Sequence, residues 1–78
     1  MIDLDSIAEF TWDFGQNFIL KVDNRFYIWS DPDYNGDNTI RPLKGTFAEY
    51  FRGFFGRDKG THRISDYCGQ DVVILSES

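Results

Sequence analysis

The sequence predicts one compact domain of the α+β class, covering residues 1–78. Three patterns carry this prediction: a Phe-rich stretch with helical spacing at 46–56, alternating apolar residues over 17–30, and a β-branched run at 71–75. A chain of 78 residues is near the lower size limit for a single hydrophobic core. Its aromatic content of 18 % supplies large side chains that can fill a small core.

The Phe-rich stretch is predicted to be the main amphipathic helix and to pack on the sheet. Thr46 and Glu49 have the capping-box spacing of a helix start, and Gly56 suits a left-handed helix end. Four aromatic side chains share one stripe of this helix: Phe47, Phe51, Phe54 and Phe55. Such a stripe needs an apolar surface, so we expect a small sheet to receive it.

A short N-terminal helix is predicted over residues 6–13, since Ser6 and Glu9 repeat the capping-box spacing. The competing interpretation is a strand, because aromatic residues alternate with polar ones over 10–14. Of the two, the helix is favoured.

Residues 17–30 are predicted to form an antiparallel hairpin, and the apolar faces are used to place its turn. A three-residue connection at 23–25 pairs Val22 with Phe26, whereas a two-residue connection sets Val22 against Arg25. Register usually follows the apolar face, so the three-residue connection is predicted. It places five apolar residues on the face that would receive the Phe stripe: Phe18, Leu20, Val22, Phe26 and Ile28.

A polar loop and further strands complete the predicted fold. The loop covers 31–38, and a third strand follows at 39–43, where Pro42 indicates a sheet edge or a strand end. Residues 62–64 are expected to be extended, and the C-terminal strand lies at 71–75.

Charge and composition restrict the class of function. The net charge is −5, and it is divided unevenly, with −6 on residues 1–39 and +1 on residues 40–78. The acidic first half disfavours direct nucleic-acid binding and favours a basic protein partner, although solubility alone also accounts for such a charge. One Cys excludes an internal disulfide, and no apolar run is long enough for a membrane span. A cytoplasmic protein is therefore expected.

No motif predicts catalysis, a metal site or a cofactor. Residues 31–36 match the first half of a calcium loop, but Pro42 stands where the bidentate Glu belongs. His62 and Cys68 are too few ligands for a structural zinc site, and as a catalytic pair they lack an obvious orienting partner. We therefore predict that the protein is not an enzyme.

The acidic first half and its aromatic residues are the predicted partner-binding surface. Carboxylates around exposed aromatic anchors suit docking on a Lys/Arg-rich surface, because charge speeds the encounter and the rings supply affinity. If the acids are spaced like phosphates, the target is the DNA-binding groove of another protein. The alternative is that these rings are core and the acids are merely solvated. The candidate residues are Glu9, Asp13, Asp31, Asp33, Asp37, Trp12, Trp29 and Tyr34.

In overall character the chain resembles the small acidic anti-CRISPR proteins that phages encode. The features behind the resemblance are the 78-residue length, the acidic stretches at 1–13 and 31–37, the aromatic content and the lack of a catalytic signature. The resemblance implies stoichiometric binding to a CRISPR effector complex in the host cytoplasm, in some members by occupying the surface that grips target DNA. The second half of the chain departs from a uniformly acidic DNA mimic, so at most one face plays that part.

We therefore predict a non-enzymatic, monomeric inhibitor that blocks a basic nucleic-acid-binding surface, with no membrane partner. The alternative is a structural or adaptor module of a bacterial or phage assembly. This module would dock through Tyr27 and Trp29, on the other face of the predicted hairpin. Salt-sensitive binding would favour the inhibitor, and salt-insensitive binding the adaptor.

Overall fold

The computed structural model describes residues 2–12, 17–44 and 60–75. Within these residues the protein is mainly β, with 51 % in strands and 15 % helical. The predicted α+β class is therefore wrong, because the described fold is a curled six-stranded sheet with one short α-helix. The Phe-rich helix predicted at 46–56 lies outside the described residues.

The described residues contain six strands, which form one sheet in which most neighbours are antiparallel. The strand bounds are β1 Ile7–Trp12, β2 Asn17–Val22, β3 Arg25–Ser30, β4 Thr39–Leu43, β5 Thr61–Arg63 and β6 Val73–Ile74. The helix α1 spans Ile64–Cys68, and a 3-10 turn spans Pro32–Tyr34. Across the sheet the order is β5-β1-β2-β3-β4-β6, and β4 with β6 is the one parallel pair in it. Strands β1 to β4 thus form a meander to which β5 and β6 add one edge each.

The first element is a strand, so the predicted N-terminal helix is wrong. β1 pairs with β2 on one side and with β5 on the other, and its Ala8 and Phe10 side chains lie in the main core. Burial of every second residue on one face outweighs the capping-box spacing. Ser6 caps no helix. Its Oγ instead accepts a hydrogen bond from the backbone amide of Asp3, at 3.0 Å, within a turn.

The hairpin of β2 and β3 turns on two residues, so the predicted three-residue connection is also wrong. Asp23 and Asn24 both have positive φ, 50° and 65°, as a type I′ hairpin turn requires. Val22 consequently pairs with Arg25. The geometry of the turn sets the register here.

This register gives each face of the sheet its own apolar cluster. Tyr27 pairs with Leu20 and Trp29 with Phe18, so the β3 aromatics lie in the main core. The predicted face that combined Phe18 with Phe26 is wrong, because these two side chains lie on opposite sides of the sheet. The smaller cluster on the second face consists of Ile19, Phe26, Ile28 and Leu43.

The remaining described elements match the expectations more closely. The strand predicted at 39–43 is confirmed as β4, and Pro42 lies beyond the residues that pair with β6. β6 is shorter than the predicted run 71–75. Residues 62–64 begin in β5, but Ile64 already starts α1.

Two segments outside the sheet close the main core, and we call residues 2–6 and 64–72 the covering layer. The first two amides of α1 donate to the carbonyl oxygens of Ser6 and Leu4, both at 2.9 Å, and so join the segments. The apolar side chains of the layer face the sheet: Ile2, Leu4, Ile64, Tyr67, Cys68 and Val72.

Tyr67 is the aromatic centre of this packing. Its ring stacks on Phe10 with centroids 4.2 Å apart, and it meets the rings of Phe18 and Trp29 edge-on at 5.8 and 6.0 Å. Offset and edge-on aromatic contacts of this kind stabilise a core beyond the area that they bury. The covering layer is therefore anchored to three strands at once.

Candidate interaction surface

The loop between β3 and β4 contains three of the predicted partner-binding acids, and one of them is structural. Asp31 is only 7 % exposed, and its Oδ1 accepts the amide of Asp33 at 2.9 Å, which caps the 3-10 turn. Gly36 packs against the start of the loop, since a Cβ there would lie 2.4 Å from the Ser30 carbonyl carbon. Asp31 therefore holds the loop together and is not available to a partner.

Asp37 is exposed, but its neighbours already engage its carboxylate. The Thr39 hydroxyl donates to Asp37 at 2.6 Å, and Nη2 of Arg41 donates at 3.1 Å. The hydrogen bond from Thr39, followed by the positive charge of Arg41, lowers the pKa of Asp37 below its usual value. Arg41 therefore offsets much of the charge that Asp37 would offer to a basic partner.

Both predicted tryptophan anchors belong to the core. Trp29 is 4 % exposed, and its indole N–H donates to Asn38 Oδ1 at 2.9 Å. Trp12 packs against the main cluster, and Tyr27 is buried, so the face on which the adaptor alternative depends is not on the surface. Tyr34 differs from these residues, because 49 % of its surface is exposed.

The predicted site residues are not brought together into one surface. Glu9 lies on the sheet face away from the covering layer, where its Oε2 is 3.6 Å from Nζ of Lys21. Asp13 lies outside the described residues. Of the predicted residues within the described ranges, Asp33 and Tyr34 are the two that are exposed and form no ion pair.

Among the described residues, acidic charge is concentrated on the covering layer. The layer contains four Asp and no Lys or Arg, so its net charge is −4, compared with −5 for the whole chain. Its apolar side chains fill the core, which leaves its carboxylates on the outer surface. The exposed acids are Asp3, Asp5, Asp66 and Asp71.

The described cations lie on the sheet, mostly on its second face. Lys21, Arg41 and Arg63 alternate with core residues along their strands, so their side chains point away from the covering layer. Two of them form ion pairs there, Lys21 with Glu9 and Arg41 with Asp37. The second face of the sheet thus carries three of the five described cations, whereas Arg25 pairs with Val22 on the side of the covering layer.

The loop of Asp33 and Tyr34 adjoins the covering layer. The Asp31 carboxylate at the start of the loop is close enough to the Cys68 thiol to help raise the pKa of that thiol. The exposed residues Asp33 and Tyr34 follow Asp31 in the same loop, and we group them with the covering layer. We call the combined surface the acidic face, and it consists of Asp3, Asp5, Asp33, Tyr34, Asp66 and Asp71.

Sequence analysis missed the covering layer because its acids are divided between the two halves of the chain. Asp66 and Asp71 belong to residues 40–78, whose net charge is +1, so the half-chain charge hides them. A signal was present in the apolar spacing of this segment, which follows one helical stripe. The stripe consists of Ile64, Tyr67, Cys68 and Val72.

The described residues form no metal centre, and their one thiol is buried. They contain no group of three or more His, Cys, Asp or Glu side chains that could hold a metal ion. Burial raises the pKa of the Cys68 thiol to about 12, and the nearby Asp31 carboxylate adds to this shift. Such a thiol stays protonated at neutral pH and is a poor nucleophile. The acidic face can instead attract a partner of opposite charge.

Comparisons with protein-family models, with curated proteins and with solved structures found no match for this chain. No helix in the described part of the chain is long and apolar enough to cross a membrane.

Proposed function

We propose that this protein is a non-enzymatic inhibitor that binds a basic, nucleic-acid-binding surface of another protein through its acidic face. The supporting observation is the charge of the covering layer, which has four exposed aspartates and no cation. A surface of one sign steers a partner of the opposite sign and speeds association. Carboxylates presented in this way suit the Lys/Arg-rich grooves that bind nucleic-acid phosphates.

The geometry of the covering layer supports this role, because hydrogen bonds order the turn that carries Asp3 and Asp5. The Asp5 amide donates to Asp3 Oδ1 at 2.9 Å, and the Ser6 amide donates to the Asp3 carbonyl oxygen at 3.1 Å. Acids that are fixed before binding lose less conformational entropy when a partner docks. DNA mimicry by one face is the mode of binding that this arrangement favours.

The partner class that we propose is a CRISPR effector complex in the cytoplasm of a bacterial host. The resemblance to acidic anti-CRISPR proteins leads to this class. Effector complexes hold nucleic acid in positively charged channels, which is the kind of surface that the acidic face suits. Binding is stoichiometric and needs no cofactor.

A capture experiment tests whether a nucleic-acid-binding surface is blocked. The immobilised protein is exposed to a host lysate, and bound proteins are released with duplex DNA or with salt and identified by mass spectrometry. We expect a Lys/Arg-rich nucleic-acid-binding protein that DNA displaces, while this protein shows no affinity for DNA. A specific partner that excess DNA fails to displace would contradict the proposal.

The anti-CRISPR class has a separate test in cells. The protein is expressed in bacteria whose CRISPR system targets a plasmid, and the efficiency of plasmid transformation is measured. A higher transformation efficiency in cells that express the protein would support this class, provided that the variant Asp5→Asn/Asp66→Asn/Asp71→Asn raises the efficiency less. Unchanged interference by the system that the captured partner belongs to would exclude it, and the broader proposal of a basic partner would still depend on the capture experiment.

A further inference from the structure

Asn35 and Gly36, in the loop between β3 and β4, form a dipeptide that is chemically labile in an unfolded chain. The backbone nitrogen of the glycine can attack the side-chain amide carbon of the asparagine, and glycine has no side chain to obstruct this attack. A C–N bond forms, ammonia leaves, and a five-membered succinimide ring results. Water then opens the ring to aspartate or to isoaspartate. Asparagine is accordingly among the thermolabile residues of proteins.

The conformation of the loop favours this labile pair. Asn35 has a φ of 67° and a ψ of 20°, the left-handed conformation that Asn adopts more readily than most residues other than Gly. At Gly36 a Cβ would lie 2.6 Å from the carbonyl oxygen of Ser30, so a larger residue fits only if the backbone moves. The loop therefore places a reactive dipeptide at positions where few other residues suit the backbone.

The same loop opposes the reaction while it is folded. The attacking group is engaged, because the amide of Gly36 donates to the carbonyl oxygen of Asp31 at 2.9 Å. The backbone angle is also unsuitable, since ring closure brings the Gly36 nitrogen beside Cβ of Asn35, whereas a ψ of 20° turns this nitrogen away from the side chain. Asn35 is exposed, so water reaches it. The backbone of the loop, and not burial, is what prevents ring closure.

We propose that Asn35 is a latent deamidation site, which reacts when the loop opens and which the folded loop keeps unreacted. Opening has to break the hydrogen bond between Gly36 and Asp31 and rotate ψ of Asn35 before the ring can close. Local openings of this kind need less free energy than global unfolding. The Asp31 carboxylate accepts the amide of Asp33 at 2.9 Å and so holds the start of the loop. It therefore controls how often the site becomes reactive.

The two products of the reaction differ in their effect on the loop. Aspartate at position 35 keeps the backbone unchanged and adds a negative charge next to Tyr34 and close to Asp33. Isoaspartate directs the backbone through the former side chain and lengthens it by one carbon atom, which the close packing of Gly36 against Ser30 does not accommodate. Deamidation therefore either adds charge to the loop or destabilises it. Neither effect depends on what the acidic face binds.

Peptide mapping by mass spectrometry tests this site, after the full chain is incubated at mildly alkaline pH with and without urea. Deamidation at Asn35 should be slower by about tenfold or more in the folded chain than in urea. Asn24 is an internal control, because it is also exposed with a φ of 65° but is followed by Arg25, so it should stay unreacted while Asn35 reacts. Asn35→Gly suits the left-handed conformation and removes the reacting amide, so its loop peptide should keep its mass in both conditions.

Asp31→Ala tests whether the carboxylate cap controls the reaction. This variant removes the cap and leaves the carbonyl oxygen that Gly36 binds, so its folded form should deamidate several-fold faster than the wild type. Asp33→Ala is the matched control, because it removes a carboxylate from the same loop, leaves the cap in place and should react at the wild-type rate. Circular dichroism melts confirm that both variants fold. Equal rates with and without urea, a wild type that stays unreacted in urea, or a folded Asp31→Ala that reacts no faster than Asp33→Ala would overturn the proposal.

Discussion

In the loop between β3 and β4, single side chains stabilise the fold through hydrogen bonds that residue type alone does not predict. Asp31 caps the 3-10 turn, and Asn38 accepts the indole N–H of Trp29. A run of polar residues looks the same in sequence whether its side chains are solvated or engaged with the backbone. The sequence therefore predicted the loop correctly but assigned Asp31 and Trp29 to a partner.

Asn38→Gly should destabilise the protein by about 1–3 kcal/mol, because the buried indole N–H of Trp29 then loses its acceptor. Asn38 has a φ of 59°, a conformation that Gly adopts without strain, so the substitution adds no backbone strain. Urea denaturation followed by tryptophan fluorescence measures the loss. Asn38→Asp keeps an acceptor at this position and should lose clearly less stability; equal losses in the two variants would contradict this role.

Cys68 should make stability depend on alkaline pH. The folded chain holds the thiol proton up to a pKa of about 12, whereas the unfolded chain releases it at the ordinary value of 9.0. The stability that this group contributes is fully present below pH 9 and is lost as pH rises toward 12. Cys68→Ala removes the titration, so its urea midpoint should fall less over this range. If the urea midpoints of wild type and variant fall equally with pH, the thiol is not buried as described.

At the scale of elements, the hairpin shows why an apolar pattern can fail to set register. Residues 26–29 are apolar or aromatic at every position, so either register places apolar side chains on both faces. The left-handed backbone at Asp23 and Asn24 decides between the two registers, and turn chemistry was the informative signal. The helix predicted at the position of β1 was wrong for a related reason. Pairing with strands on both sides favours a strand there, although the local sequence resembles a helix cap.

Asn24→Val should destabilise the hairpin by about 1–2 kcal/mol, because a β-branched residue is strained at a φ of 65°. Asn24→Gly removes the strain and should be neutral or stabilising. Thermal melts of the two variants beside the wild type measure the difference. A valine variant as stable as the glycine variant would mean that the turn does not have this geometry.

In the whole molecule, the acidic surface is the outer side of the covering layer, which combines residues from both halves of the chain. The net charge and the lack of a catalytic motif were readable from the sequence, and both led to a basic partner. The surface itself was not, because the hydrogen bond from the Ile64 amide to the Ser6 carbonyl oxygen brings two distant segments together. Such a contact depends on the topology of the sheet, which local patterns do not determine.

The acidic face, and not net charge alone, is expected to steer binding to a basic partner. Two variants with the same change in net charge separate these possibilities. The face variant is Asp5→Asn/Asp66→Asn/Asp71→Asn. The control variant is Glu9→Gln/Asp23→Asn/Asp37→Asn, which alters exposed or partly exposed acids outside the acidic face.

The most direct measurement is the association rate of each variant with the captured partner, at low and at physiological salt. We expect the face variant to associate several-fold more slowly at low salt, and the gap to narrow as salt screens the charges. The control variant should associate at nearly the wild-type rate at both salt concentrations. Equal rates for the face variant and the wild type, or an equal slowing of the two variants, would contradict the claim.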